Sequence, residues 1–531
     1  MTDIQSAPRA TGEDPVPLDE SLGAPLARRW FLGTLAATLA FRLWLSAVFP
    51  FTPDEAYFSI WGRYPDLGYY DHPPMVGWWL AAIGRVSESV WVLRLAATLL
   101  PALCALLVRG LLRRWKQEDP ALADWAAVCV LLLPTSVWNV LITTDTPLAL
   151  FGLLSIAVFA GSARRAPGPA RLSGFFIAGV LLGLAFTSKY FAVLLGLAYL
   201  FWSVVARGPG KWSALAAVVL GAAPFIALNL FWNYQACWCN VMFNLINRHE
   251  KAGWSAATPA LYAATVAYLL SPLLWFVWRA RARFAACLSD QRSAALLIAW
   301  AAPLALFAVL SLYVRIGLHW LLLFLPAVVL WLALEQGSRA LARSGRILAG
   351  FALLHGVLAI AAAAAPLHVW SGVRGLYPSL VFLTETKALL GSVAQEAGGF
   401  ELASNAYAPA AVLGFHSGKN VPVFGMGSTH ARQDDFLTDW RAYDGRNIVI
   451  VQRGEASRDD YVPYFREVEF RRISLEDTEI HAVLGRGFDY PRYRAQILDR
   501  IRQRYYRVPE ALPIGHCLFC ERYFPGVSCR A

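Results

Sequence analysis

Charge is what this sequence lacks. Asp, Glu, Lys and Arg make up 16% of its 531 residues, against about 25% in an ordinary soluble domain. That deficit excludes a soluble enzyme of this length. An early apolar stretch is missing too. Met1 to Pro25 is polar and rich in Pro, Ala, Asp and Glu, so no cleavable signal peptide is read there. Residues 1–27 read instead as a disordered cytoplasmic tail. No internal repeat is visible, which argues against an inverted-repeat transporter. Cysteine is scarce, with eight in all. The Cys517-Leu-Phe-Cys520 spacing has no second ligand pair beside it, which disfavours zinc and leaves disulfides or free thiols.

Apolar material is what fills the gap. It amounts to 57% of the chain, with mean hydropathy +0.46, and it comes in runs long enough to cross about 30 Å of hydrocarbon. About eleven spans are predicted, near 30–51, 90–112, 123–142, 147–163, 172–187, 190–206, 212–232, 258–278, 294–313, 318–335 and 347–366. The net charge of +11 comes largely from Lys and Arg flanking these runs, so nucleic-acid binding is not read from it. Arg28 and Arg29, Arg109 to Lys116, Arg164 to Arg171, Arg207 and Lys211, Arg279 to Arg292, and Arg339 to Arg346 occupy alternate loops. Alternate loops share one side, and the positive-inside rule makes it cytoplasmic. The acids then fall on the opposite face. The expected fold is a polytopic α-helical membrane domain over 28–366, with outer loops 52–89 and 233–257. A small extracytoplasmic α/β domain over 367–531 follows. Strands are expected near Val421–Phe424 and Asn447–Gln452, and helices near Glu385–Ala397 and Arg492–Arg504.

Four outer segments carry candidate chemistry. Phe51-Thr-Pro-Asp-Glu-Ala-Tyr57 sets two carboxylates, Asp54 and Glu55, directly after a span; ionisable groups at membrane depth are costly and tend to be functional. The bland reading is a solvated loop start. Leu67-Gly-Tyr-Tyr-Asp-His-Pro-Pro-Met75 joins Asp71, His72 and two Tyr on a stiff Pro-Pro frame. The Tyr rings suit sugar faces, lipid chains or an interfacial belt. Thr143-Thr-Asp-Thr-Pro147 supplies Asp145, which also reads as a helix start. Lys189 sits in a tight turn, and it, Arg248 and Arg315 read as cations for a lipid-linked phosphate or as snorkelling side chains. His319-Trp320 either lines the same cavity or caps the tenth span. Acids and cations on one outer face suit sugar transfer from a lipid phosphate. The cations hold the leaving phosphate, a carboxylate takes the acceptor proton, and direct displacement inverts the anomeric centre.

Taken in order, Thr-Pro-Asp54-Glu55-Ala-Tyr, Gly-Tyr-Tyr-Asp71-His72-Pro-Pro, Thr-Asp145-Thr-Pro and Ser-Lys189-Tyr resemble the GT-C glycosyltransferases. The nearer likeness is to the bacterial protein-mannosyltransferase-like group, which includes the lipid A aminoarabinose transferase and rhizobial galacturonosyltransferases. The resemblance covers residues 30–335. It extends weakly into 400–455 through Ala406-Tyr-Ala-Pro-Ala and Leu413-Gly-Phe-His. It implies that Asp54 and Glu55 are catalytic, with Asp54 the general base or acceptor-positioning group. Asp71, His72, Asp145, Lys189, Arg248 and Arg315 are then expected to bind donor phosphate or substrate. His72 stands where the aminoarabinose transferase has a lysine, so Lys189 or Arg248 is expected to take that part. These residues point to no definite cofactor; a divalent metal ion is left open, with Asp54 and Asp145 as its ligands if one is used. The implied partners are a polyprenyl-phosphate-linked sugar, a lipid, glycan or protein-hydroxyl acceptor, and membrane lipids. The implied location is a bacterial inner membrane.

Two other classes remain at this level. A lipid-linked sugar flippase or transporter would place charges near the bilayer midplane. Arg42, in the first span, is such a charge unless it pairs locally with an acid. A polysaccharide polymerase or ligase would take a diphosphate-linked oligosaccharide.

Overall fold

The computed structural model describes residues 20–207, 209–249, 253–527 and 529–530. Residues 1–19 of the expected tail, and Glu250 of an outer loop, lie outside them. The membrane part contains α1 (Glu20–Val48), α2 (Pro53–Arg63), α3 (Met75–Gly84), α4 (Val90–Leu93), α5 (Leu95–Trp115) and α6 (Pro120–Leu132). Next come α7 (Pro134–Trp138), α8 (Asp145–Ala163), α9 (Pro169–Phe186), α10 (Ala192–Val205), α11 (Lys211–Gln235) and α12 (Cys239–Leu245). It closes with α13 (Ala257–Leu270), α14 (Leu273–Ala280), α15 (Phe284–Cys287), α16 (Gln291–Leu310) and α17 (Leu325–Ala364). The first helix starts at Glu20, inside the segment expected to be disordered.

Among the described residues, seven helices are long and apolar enough to cross a membrane, or eight if the bent α13–α14 pair is one span. The sequence led to about eleven. Backbone chemistry accounts for the difference. The run 123–142 breaks at Pro134 into α6 and α7, because proline cannot donate to the turn before it. The pair α13–α14 bends by 100° around Ser271-Pro272. The run 190–206 yields a helix of only 14 residues. The last two runs form one helical stretch, α17, interrupted at Gly337 with φ 75° and ψ 179°. Only glycine accommodates that conformation readily.

Close packing then assembles the bundle. A Cβ on Gly179 would lie 2.1 Å from the Val218 carbonyl oxygen, and one on Gly221 2.3 Å from that of Phe176. Small residues let α9 and α11 meet backbone to backbone, as membrane helices do. Arg42 is buried in the bundle and pairs with carbonyls rather than with an acid. It donates to the backbone oxygens of Ala97 (2.6 Å), Thr98 (2.8 Å), Ser136 (2.7 Å) and Asn139 (2.8 Å). Pro101, four residues past Ala97, has no N–H to offer that carbonyl. The arginine therefore caps the helix breaks in α5 and α7.

The C-terminal part holds a four-stranded sheet in the order β1-β2-β4-β3. The strands are β1 (Glu401–Ser404), β2 (Ile448–Gln452), β3 (Phe465–Leu475) and β4 (Thr478–Phe488). β1 and β2 run parallel, and the other pairs are antiparallel. Every residue of β2 is buried, as a central strand requires. Helices α18 (Tyr377–Thr384), α19 (Thr386–Glu396) and α20 (Tyr407–Ser417) precede or follow β1. The expected strand at Val421–Phe424 reduces to one bridge between Val423 and Ser404. Residues 490–505 are helical throughout, close to the predicted 492–504.

Docking between the two parts is extensive. Helix α20 packs on α2, the Phe51 and Phe415 rings lie 4.4 Å apart, and Arg63 donates to the carbonyls of Gly414 and Phe415. Disulfides join Cys237 to Cys517 and Cys520 to Cys529. The two cysteines of the Cys-x-x-Cys motif thus have different partners. Cys237–Cys517 staples the C-terminal segment to the loop between α11 and α12. Peptide mapping of the unreduced protein is expected to recover these two linkages; a Cys517–Cys520 pair would contradict the docking described here.

Candidate active site at the rim of the helix bundle

The site begins where α1 ends. Pro53 starts α2, and Thr52 caps it in a reciprocal capping box with Glu55. This closed turn directs the adjacent acids apart. Glu55 is fully buried. It accepts from Arg94 Nε (2.8 Å) and Nη2 (2.7 Å), and from the backbone N–H of Ile142 (3.0 Å). Arg94 also donates to the carbonyls of Ser46, Phe49 and Pro50. The pair therefore ties the end of α1, the start of α2 and the 139–144 connection together. Glu55 was expected to be catalytic; its carboxylate is instead a buried brace behind the site.

Asp54 faces the other way, into a cavity of about 400 Å³. Asp71, His72, Asp145, Lys189 and Arg248 line the same cavity, so six of the predicted residues converge. Burial raises the Asp54 carboxyl above its usual range, and a 3.3 Å hydrogen bond from the Tyr407 hydroxyl opposes the shift. Asp71 accepts from the Tyr57 hydroxyl (3.2 Å) and the Ala431 N–H (3.3 Å). Burial pushes its carboxyl up to about 7. His72 is held well below the usual imidazole value by burial, then by the nearby charges of Lys189 and Arg248. It is neutral at pH 7 and is no substitute for a permanent cation.

Asp145 opens α8, and both its oxygens accept from Lys189 Nζ, at 2.9 and 2.7 Å. His319 Nε2 lies 3.8 Å from the same carboxylate. Burial lowers the Lys189 ammonium, and Asp145 pulls it back. Arg248 differs from Lys189 in having no ion pair to a described residue. It makes a long contact to the Asn244 side-chain oxygen (3.4 Å) and lies over the Phe243 and Trp320 rings. Helix α12 holds this arginine in place: Asn240 donates to the Tyr69 carbonyl and Asn244 to that of Asp71.

Two readings of the first loop change. Tyr69 stacks on Trp61 with centroids 4.3 Å apart, and Tyr70 is fully buried. Both are core residues, not open faces for a sugar. Arg315 is exposed and does not line the cavity. His319, Trp320 and His430 do line it. His430 arrives from the C-terminal domain on a loop where Ala431 takes φ 58°. As a metal centre the donor set fits poorly, because Lys189 already occupies both oxygens of Asp145. Among the described residues the only close group of three metal-type ligands is Cys237, Cys517 and Cys520, and those sulfurs are in disulfides.

Breaking the buried Glu55–Arg94 pair strands a charge, at a cost of about 3–5 kcal/mol. Glu55→Ala is thus expected to lower the melting temperature sharply, whereas Asp54→Asn is expected to leave it nearly unchanged. Asp71 gives a pH signature. Its folded pKa is raised to about 7, so between the ordinary carboxylate range and 7 the folded chain binds more protons than the unfolded one. Stability from this group therefore falls as pH rises through that window. Melting temperatures between pH 5 and 8 are expected to decline less in Asp71→Asn than in the wild type.

With the geometry in place, comparison with known proteins is informative. The family model for dolichyl-phosphate-mannose-protein mannosyltransferases matches residues 71–233. A lipid A galacturonosyltransferase, RgtD of Rhizobium johnstonii, is 28% identical over 272 residues, covering 46% of this chain and 54% of that protein. The chain thus matches about half the length of this curated relative. Crystal structures of ArnT from Cupriavidus metallidurans superpose with TM-scores of 0.59 when bound to undecaprenyl phosphate and 0.60 in the apo state. Identity is 16% and 17%, over 86% of this chain and 98% of ArnT in each case. This polytopic membrane protein is thus similar in fold to ArnT and, over about half its length, in sequence to RgtD.

Proposed function

We propose that the cavity transfers a sugar from a polyprenyl-phosphate donor to a hydroxyl of a cell-envelope acceptor, with inversion. The observation that carries this reading is the meeting, in one cavity, of Arg248, which has no ion pair to a described residue, with an open carboxylate, Asp54. Arg248, with Lys189 beside it, holds the donor phosphate. The acceptor oxygen attacks the anomeric carbon from the side opposite that phosphate. As the new carbon–oxygen bond forms, the bond from the anomeric carbon to the phosphate oxygen breaks. The lipid phosphate keeps the electron pair, and the acceptor proton passes to Asp54. A base raised above the usual carboxylate range accepts that proton more readily. The cations act where charge develops on the leaving phosphate.

The relatives support the reading: RgtD is named for galacturonosyl transfer to lipid A, and ArnT binds undecaprenyl phosphate. The disulfides support a site in an oxidising compartment, outside the cytoplasm. The basic loops support the opposite face as cytoplasmic. The site then lies at the periplasmic rim of a bacterial inner membrane, where the lipid tail of the donor stays in the bilayer.

Membranes carrying Asp54→Ala are expected to lose transfer by about 10²–10⁴-fold at unchanged protein level. Undiminished transfer would remove Asp54 from the mechanism. Arg248→Ala is expected to raise KM for the donor more than KM for the acceptor. Equal effects on both would remove Arg248 from the phosphate.

A further inference from the structure

Trp138 is a wall of the cavity, and its indole is held from the side facing the membrane. Its Nε1–H donates to the Tyr268 hydroxyl at 3.3 Å, and that hydroxyl lies 2.8 Å from His355 Nε2. His355 Nδ1 lies 2.6 Å from the Phe351 carbonyl. A carbonyl can only accept, so Nδ1 carries the ring proton. In the neutral imidazole Nε2 then accepts from Tyr268, whose oxygen accepts from Trp138. The chain is directed from end to end and joins α7, α13 and the second half of α17.

Tyr268 and His355 are polar groups within apolar helices. Tyr268 lies about 16 Å along α13 from its start at Ala257, and His355 about 14 Å along α17 from its end at Ala364. Each therefore lies about two to three turns in from that end of its helix. Polar side chains there are costly and are kept for a function. Their surroundings are apolar and exposed. Leu353 is 70% exposed and Leu358 59%, and Tyr268 itself is 37% exposed. This flank is where the cavity wall meets the lipid-facing surface.

We propose that Trp138, Tyr268 and His355 form the wall past which the lipid chain of the donor leaves the cavity, and that Tyr268 and His355 position Trp138 for that chain. The inference rests on the donor being a polyprenyl phosphate, as read above. Tyr268 and His355 do not touch the reacting atoms; they act through Trp138. The lipid chain would run between α7, α13 and the second half of α17, against the exposed Leu and Val side chains of α17.

The test uses the full chain in lipid nanodiscs, with a long-chain polyprenyl-phosphate sugar and a short-chain analogue of about ten carbons. Tyr268→Phe and His355→Leu are each expected to raise KM for the long-chain donor about five- to tenfold, the loss of one hydrogen bond. kcat is expected to stay within about twofold, and the short-chain donor to be used as by the wild type. His355→Gln keeps an acceptor for Tyr268 and is expected to restore the long-chain KM. An unchanged long-chain KM would overturn the proposal. So would equal losses with both donors, because a merely structural role does not distinguish chain length. A wild-type protein that uses neither donor would instead overturn the functional reading beneath it.

Discussion

The ion pair between Glu55 and Arg94 organises the rim on which the site is built. It is fully buried, so it cannot be held by chance contacts with solvent. Each partner also satisfies backbone groups: Arg94 serves the carbonyls that end α1, and Glu55 serves the N–H of Ile142. Such a pair contributes by fixing geometry rather than by its net charge attraction, which desolvation largely offsets. Once it is fixed, Asp54 must face the cavity, and the 139–144 connection must pass beneath it. That connection then presents Asp145 to Lys189. The positions of Asp54 and of the connection leading to Asp145 thus depend on one closed turn at Thr52.

Around that turn the cavity separates its charges. Lys189 is committed to Asp145, and the histidines at 72, 319 and 430 are held neutral by burial and by neighbouring cations. Arg248 has no ion pair to a described residue, so on the proposed reading it meets an anion while Asp54 meets a proton. On the proposed reading, the division lets a cavity lined by acids receive a lipid phosphate. On the same reading a histidine at position 72 is tolerable, since Arg248, in the turn after α12, supplies the permanent charge.

Much of this was legible in the residues. Asp54, Asp145 and Lys189 each stand at a junction between an apolar run and a loop, and such junctions are easy to read; Asp71 lies within a loop, marked by the Pro-Pro pair that follows His72. Their convergence followed from the alternating basic loops. Glu55 was misassigned although its signal was present: Thr52-Pro-Asp-Glu55 is a capping box, which turns the second acid inward. Tyr69 and Tyr70 looked like ligands because nothing in a loop sequence reveals that the C-terminal domain will cover it. His430 was out of reach for the same reason, since it comes from a distant loop whose course depends on sheet packing. The span count exceeded the long helices found because hydropathy does not register the breaks at Pro134, Pro272 and Gly337.

The most direct measurement is the stereochemistry and stoichiometry of a single turnover in proteoliposomes. A defined polyprenyl-phosphate sugar of known anomeric configuration would be supplied with a lipid acceptor, and the products resolved by NMR and mass spectrometry. The account expects one lipid phosphate released for each sugar transferred, with the anomeric configuration inverted. Retention of configuration, or movement of the intact lipid-linked sugar with no acceptor product, would contradict it.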